Sequence, residues 1–394
     1  METVLKTPCF IVNENELKNN IDKMHKALQD TWGNYIIGYS YKTNSLPWII
    51  NFLKKNGVYA EVVSDCEYRL AKKIGYKEDK IILNGPNKDR DIFINAIKKG
   101  GIVNIDSFRE IEWLKEEKFE NTYGVGVRLN FDLETECPGE TAMASEGGRF
   151  GFSLENGDFK QAINKINRIQ NLKVTGIHLH NSTKTRSLNI YETLSKKAIE
   201  VSKLFDYELD YVDIGGGFFG GLENKPSYYE YMRIISEELS KSFNNKKTKL
   251  IVEPGASIIA SPVSFLCEVI DVKDTYAKRI VTINGSRNNI DPLMSKTNYF
   301  LDIETNIKKD IVKEQVICGY TCMENDRLIK LIDNQELSIG DRLLFNKVGS
   351  YTMCLSPLFI EYFPRVYLKD RTSKYRCIRE KWDVDEYIQK SIIN

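Results

Sequence analysis

The chain has 394 residues, 56 Lys+Arg against 55 Asp+Glu, and 42% hydrophobic residues. A formal net charge of +1 gives no electrostatic footprint for nucleic acid or an anionic membrane surface, and the length suits about two domains. No apolar run is long enough to span a bilayer, and the first residues lack a basic stretch followed by an apolar one. A cytoplasmic address without a secretion signal is therefore expected. Eight cysteines over this length lack the density of a disulfide scaffold and read as reduced thiols. Cys318 and Cys322 have a spacing that suits a metal, but no second pair or nearby histidine completes four ligands, so no structural zinc is expected.

In chain order, a short strand over 8–12 and an amphipathic helix over 14–28 precede one recurring pattern. Apolar, β-branched runs cover 36–44, 58–64, 80–85, 102–107, 125–130, 174–181, 211–217 and 250–255. Between them, segments such as 65–74, 90–99, 108–117, 158–169, 188–205 and 227–242 have helical period. Eight strand-then-helix units predict an α/β fold, a (β/α)8 TIM-like barrel rather than an open sheet. From about 261 the texture changes to short strand-like runs separated by turns, which predicts an all-β, Greek-key or sandwich-like domain. The barrel is assigned to 26–262 and the β domain to 1–25 with 263–394. The stretch 132–147, rich in Glu and Gly, reads either as a specificity or lid loop or as plain disordered surface.

The predicted strands carry polar residues at their carboxyl ends: Lys42 and Asn44, Glu61 and Ser64, Asn84, Asp106, Arg128 and Asn130, His178 and His180, Asp213, and Glu253. In a barrel these converge on one rim, and buried polar side chains cost stability unless they are satisfied or used, so an enzyme is expected. His178 and His180 share one strand face. The only other histidine is His25, so no histidine-rich metal centre is expected. A histidine at the mouth can instead stack on a flat aromatic ligand. Gly215, Gly216 and Gly217 follow Asp213 and let backbone amides crowd round an anion. The turn Glu253-Pro254-Gly255 ends the next strand with an inward carboxylate. Adjacent anion loops after the last two barrel strands are the usual phosphate position of this fold. A phosphate site, a lysine on the first strand, a stacking histidine and an inward carboxylate together point to pyridoxal 5'-phosphate.

These motifs occur in a familiar order: Lys42 in YSYKTN, AEVVS at 60–64 with Glu67, NIDS at 104–107, GRFG at 148–151, GIHLH at 176–180, the glycines from 215, EPG at 253–255, GYTC at 319–322 with Asp326, and GSY at 349–351. Over about residues 8–365 the chain resembles the fold-type III pyridoxal phosphate decarboxylases, the diaminopimelate, ornithine and arginine decarboxylase family with its alanine racemase-like barrel. The resemblance implies a carboxy-lyase in which Lys42 holds the cofactor as a Schiff base, Glu253 keeps the pyridine nitrogen protonated, and His180 stacks on the ring. It also implies that Thr183, Gly215, Gly216, Gly217, Glu253, Gly255, Ala256 and Tyr351 complete the cofactor site. The family is homodimeric with shared active sites, so Cys322 from the partner subunit is expected to protonate the carbanion left by loss of carbon dioxide.

Departures from the family bear on the substrate. Diaminopimelate decarboxylases carry arginine where this chain has Ala256, arginine where it has Asp291, and an acid after the catalytic cysteine where it has Met323. Two cations replaced by a methyl and an acid cannot hold a distal carboxylate by paired hydrogen bonds. Ordinary diaminopimelate is thus not the expected substrate. Asp291 is placed to accept a distal ammonium, Glu324 stands one residue past the missing acid, and Arg149 is a further candidate substrate contact. A basic, diamino or conjugated amino acid is the leading substrate class, with diaminopimelate decarboxylation in an altered pocket, or racemisation, as the alternatives.

Overall fold

The computed structural model describes residues 5–305 and 309–392. Residues 1–4, on which the expectation about a leader partly falls, and residues 306–308 and 393–394 of the assigned β domain, lie outside the described residues. The chain forms two compact units, Asn20–Ser257 and Met1–Asn19 with Ile258–Asn394.

The chain opens with β1 (Cys9–Asn13) and α1 (Glu14–Thr31). The first unit then runs β2 (Tyr35–Ser40), α2 (Pro47–Lys55), β3 (Tyr59–Ser64), α3 (Asp65–Lys73), β4 (Ile81–Asn87), α4 (Arg90–Lys98), β5 (Ile102–Ile105) and α5 (Phe108–Lys115). It continues with β6 (Tyr123–Asn130), α6 (Leu133–Glu136), β7 (Phe152–Ser153), α7 (Asp158–Asn167), β8 (Leu172–Leu179), α8 (Leu188–Ser202), β9 (Tyr211–Asp213), α9 (Tyr228–Leu239), β10 (Lys249–Val252) and α10 (Ala256–Ile259). The parallel strands follow the order β2-β3-β4-β5-β6-β8-β9-β10, and β10 pairs back onto β2, closing an eight-stranded barrel. The two-residue β7 pairs in parallel with the end of β6 and adds no ninth barrel strand. The predicted eight strands are thus present, each within a few residues of its expected span.

Local chemistry starts the helices at the barrel mouth. Ser64 accepts from Glu67 N to cap α3, Asp89 caps α4, and Ser227 with Glu230 forms a full capping box on α9. Inside the barrel, side chains need room. A Cβ on Gly126 or Gly176 would collide with Tyr211, so these two glycines admit the phenol into the interior.

The 132–147 stretch is folded, which corrects the reading of it as disordered surface. Asp132 caps α6, Glu134 accepts from Gly139 N at 2.7 Å and from the Thr141 hydroxyl, and Glu140 accepts from Thr185 and Asn189. Ala142 N donates to Ser182 O at 3.0 Å, Lys184 N to Glu140 O at 2.8 Å, and Thr141 bridges Thr183. Carboxylates that read as solvated charge in the sequence are the groups that tie this loop to the one after β8.

The second unit adds β11 (Val263–Asp274), β12 (Arg279–Ile283), α11 (Arg287–Ile290), β13 (Phe300–Glu304), β14 (Ile311–Cys318), β15 (Arg327–Gln335), β16 (Arg342–Asn346), β17 (Arg365–Lys369), β18 (Tyr375–Arg379) and α12 (Val384–Ile388). With β1 they form one sheet in the order β15-β14-β12-β11-β1-β17-β18, with β16 on β11 and β13 on β16. Its core includes Phe10, Phe265 and Phe345, all fully buried. Among the described residues no helix is long and apolar enough to cross a membrane.

Candidate active site

Strand β2 stops at Ser40, earlier than expected, and Lys42 sits in a single 3-10 turn over Tyr41–Thr43. Tyr41 and Thr43, the residues on either side of Lys42, are buried, so the turn's backbone is anchored while the lysine between them stays half-exposed. Lys42 Nζ lies 3.4 Å from Glu61 Oε2. Glu61 is fully buried on β3 and also accepts from Ser40 Oγ at 2.6 Å and from Asn84 Nδ2 at 3.0 Å. The lysine therefore meets a carboxylate whose position is already determined by its own strand neighbours.

Glu253 follows β10, and its Oε1 accepts from Asn84 Nδ2 at 2.5 Å. Its Oε2 is 3.4 Å from His178 Nε2, within ion-pair distance but not aligned as a hydrogen bond. His178, Asp213 and Glu253 place polar atoms within 4.8 Å of one another, all buried. Burial, then the adjacent Glu253 carboxylate, pushes Asp213 well above the usual carboxylate range. Burial alone would raise Glu253 too, but His178 and Lys42 beside it hold it well below that range. The two neighbouring carboxyls are thereby pushed in opposite directions.

His180 is the first residue beyond β8, its ring parallel to that of His178 with centroids 6.4 Å apart. Gly216 N donates to His180 Nδ1 at 3.3 Å, so the neutral ring carries its proton on Nε2. Loss of water around the ring, with Arg128 and Lys42 nearby, pushes its pKa down to about 3. A flat, uncharged face results. Arg128 donates to the His180 carbonyl at 3.1 Å and to Asp106 at 3.3 Å, and its guanidinium lies 4.7 Å over Phe150. Behind Asp106, Glu110 accepts from the Asp106 amide at 3.0 Å and from Lys88 at 2.9 Å. Neither Lys88 nor Glu110 belongs to a motif singled out in the sequence. No local signal marks them, because Lys88 lies just beyond β4 and Glu110 on α5, and only folding brings the two together and buries both.

The glycines test the fit to pyridoxal phosphate. A Cβ on Gly215 would reach the His180 ring at 2.5 Å, one on Gly216 would strike the Glu253 carbonyl, and one on Gly255 would strike Thr43. Bare backbone is thus required where the two loops meet, beside the histidine face and the inward carboxylate. Ala256 follows directly on this turn and presents only a methyl. Thr183 is held by its bridge to Thr141, and exposed Arg149 lies 4.0 Å over the Phe150 ring. The barrel residues fit the cofactor: an amine for its carbonyl, an anion for its ring nitrogen, a neutral ring for its face and amides for its phosphate.

In the sheet unit, the turn carrying Cys322 is organised by buried Asp326, which accepts from Ser286 Oγ at 3.0 Å, Arg287 N at 2.8 Å and Thr321 Oγ1 at 2.6 Å. Cys322 is exposed and is a free thiol, as are the other seven cysteines. Tyr351 is exposed, with a left-handed φ of 55°. Met323 is half-buried, and exposed Glu324 pairs with Arg327 at 3.3 Å. Asp291 differs from its expected role. It is 2% exposed and accepts from Arg287 at 2.9 Å, from the amides of Ser295 and Lys296 at 3.1 and 3.0 Å, and from Tyr299 at 3.3 Å. Its carboxylate is buried and engaged by donors around its own loop, most of them on Oδ2.

The pyridoxal-binding domain of the pyridoxal-dependent decarboxylases matches residues 16–260, and their C-terminal sheet domain matches 258–349. The chain is 23% identical to diaminopimelate decarboxylase of Aquifex aeolicus, over 98% of this chain and 92% of that one. The crystal structure of diaminopimelate decarboxylase from M. jannaschii superposes with a TM-score of 0.86 at 24% identity, covering 99% of this chain and 93% of that one. The arginine decarboxylase of Paramecium bursaria Chlorella virus superposes with a TM-score of 0.77 at 18% identity, covering 92% and 96%. With both domain types matched in order and the barrel residues fitting the cofactor, the chain belongs to the pyridoxal-dependent decarboxylase family, carboxy-lyases that use pyridoxal 5'-phosphate.

Proposed function

We propose that the protein removes the α-carboxylate of a free amino acid whose distal part is not the charged terminus of diaminopimelate. It works in this reading as a homodimer in a reducing, cytoplasmic setting. The observation that carries the substrate class is the pairing of Ala256 with a sequestered Asp291. Neither position offers a cation for a distal carboxylate or a free anion for a distal ammonium. That favours a conjugated or uncharged distal group over the basic side chain first expected from Asp291.

Bound pyridoxal phosphate supplies an electron sink for the pair of electrons left by departing carbon dioxide. Lys42 Nζ would hold the group through its carbonyl, with Glu61 as counter-ion 3.4 Å away. Glu253, kept anionic, retains the proton on the ring nitrogen. Asp213, its carboxyl pushed up by burial and by Glu253, disfavours a second negative charge there. His180, kept neutral, would pack on the ring face, and the loop of Gly215, Gly216 and Gly217, whose first two amides already donate to Asp213 and His180, would cradle the phosphate with the Gly217 and Gly255 backbone, Ala256, Thr183 and Tyr351. Cys322 of the partner subunit returns a proton to the substrate Cα, giving amine and carbon dioxide. Met323, Glu324 and Arg149 remain candidates for the distal contact.

A second reading, diaminopimelate decarboxylation in a rebuilt pocket, is supported by relatives of that name at 23% and 25% identity. Carbon dioxide release from purified protein separates the two, using meso-diaminopimelate, lysine, ornithine, arginine and amino acids with acylated or peptide-linked side chains. Preference for a conjugated or neutral side chain is expected. Diaminopimelate as the best substrate by roughly tenfold, a 1.4 kcal/mol preference, would overturn the first reading in favour of the second. Exchange of the α-proton without carbon dioxide would point to racemisation. Lys42→Ala should abolish both turnover and the cofactor band near roughly 420 nm.

A further inference from the structure

Asn84, in β4, carries one side-chain amide nitrogen with two hydrogens, and both are committed. One goes to Glu61 Oε1 at 3.0 Å and the other to Glu253 Oε1 at 2.5 Å. The amide is oriented from its other side. Asn104 Nδ2 donates to Asn84 Oδ1 at 2.8 Å, and the Tyr211 hydroxyl donates to Asn104 Oδ1 at 2.9 Å. Turning the Asn84 amide over would set its oxygen against two carboxylate oxygens and its NH2 against another NH2, so chemistry permits only one orientation. Glu61, Asn84, Asn104 and Glu253 are all at most 4% exposed, and the network ends on a hydroxyl seated over Gly126 and Gly176. It is a continuous, satisfied polar chain through the barrel interior.

The two carboxylates it joins serve different ends of the site. Glu61 meets Lys42, and Glu253 is the partner for the ring nitrogen. We propose that Asn84 is a positioning residue that couples these two carboxylates through a single amide, fixing their separation and the directions of their remaining lone pairs. The proposal rests on the pyridoxal phosphate reading of the site. The ionisable groups facing this pair are Lys42, Glu67, His178, His180, Tyr211 and Asp213. An amide suits the bridge because it donates to both anions without titrating, whereas an aspartate there would add a third carboxylate to a buried pair. Change of charge on the lysine side is felt at the ring-nitrogen side through a bond that cannot itself change charge.

The test compares the wild-type holoenzyme with Asn84→Leu, which keeps the volume and removes both donors. Tyr211→Phe removes only the hydroxyl that orients the chain. The readouts are the pH titration of the cofactor's visible absorbance, its visible circular dichroism, and kcat and KM separately. In Asn84→Leu the titration midpoint should move by about one pH unit. Its kcat should fall roughly tenfold or more while KM changes less than about threefold, as for a lost hydrogen bond to a charged group acting after binding. Tyr211→Phe should move the midpoint in the same direction by less. A visible band whose midpoint and kcat are the same in wild type and both variants would overturn the proposal, even if both variants melt earlier. If Asn84→Leu fails to fold, Tyr211→Phe decides alone, an unchanged midpoint overturning the proposal. A wild-type protein that shows no band with added pyridoxal phosphate would overturn the cofactor reading and the proposal with it.

Discussion

The Lys88–Glu110 pair is the most exacting place to test the electrostatics of this barrel. Both side chains are completely buried and 2.9 Å apart. At that distance the attraction is about 6 kcal/mol with an effective dielectric near 20, most of it offsetting the cost of desolvating two ions. Replacing one partner leaves the other charge buried alone, and a loss of about 3–5 kcal/mol is expected. For a unit of this size that is a drop in melting temperature of about 6–20 °C. The pH dependence carries the sharper signature. Burial pushes Glu110 up and Lys88 down, each opposed by its partner. In Lys88→Met the stranded Glu110 escapes by taking a proton, so the deficit should shrink as pH falls. In Glu110→Leu the stranded Lys88 escapes by losing one, so the deficit should shrink as pH rises. The double variant Lys88→Met/Glu110→Leu should be more stable than either single variant and nearly flat with pH. Thermal melts of the four proteins between pH 5.5 and 8.5 are the assay. Single variants that lose less than about 1 kcal/mol, or deficits that follow the same pH trend, would refute the assignment of this pair as a buried ion pair.

Two further outcomes follow from the same geometry. Gly216→Ala puts a Cβ well inside 3.0 Å of the Glu253 carbonyl, so the cradle must open. Equilibrium dialysis with pyridoxal phosphate should show cofactor affinity reduced by roughly tenfold or more, the equivalent of one lost charged hydrogen bond, and unchanged affinity would mean that the phosphate sits elsewhere. Glu67 is pushed up to about 7 by burial, against the pull of its hydrogen bond from Val63 N. Between about 4.5 and about 7 the folded protein therefore holds a proton that the unfolded chain has released, and this side chain's contribution to stability falls as pH rises through that window. Glu67→Gln should gain on the wild type over the same interval in denaturant melts, and a constant difference would show that Glu67 titrates normally.

The cofactor chemistry was legible before any coordinates because its parts are local in sequence. Strand period and glycine runs define the barrel and its anion loops, and Lys42, His180, Gly215 and Glu253 each sit within a residue or two of a strand end, where chain direction alone sends them to one rim. The orderly 132–147 loop was not legible. Its stabilising partners, Glu134 with Thr141 and Glu140 with Thr185, are ordinary surface residue types whose pairing depends on where two loops meet.

What the sequence by itself determined about this protein is its architecture, its cofactor and its family. Only the tertiary structure decided what the charged residues do. Asp291 presents a free carboxylate in the sequence, yet four donors within its own loop consume it. Asn84 is one more polar strand-end residue until folding sets Glu61 and Glu253, 192 positions apart in the chain, within reach of the same amide. Residue type and spacing report which chemistry is possible at short range. The energy of a charge depends on what surrounds it in space, and burial and partners of that kind exist only after the strands have closed.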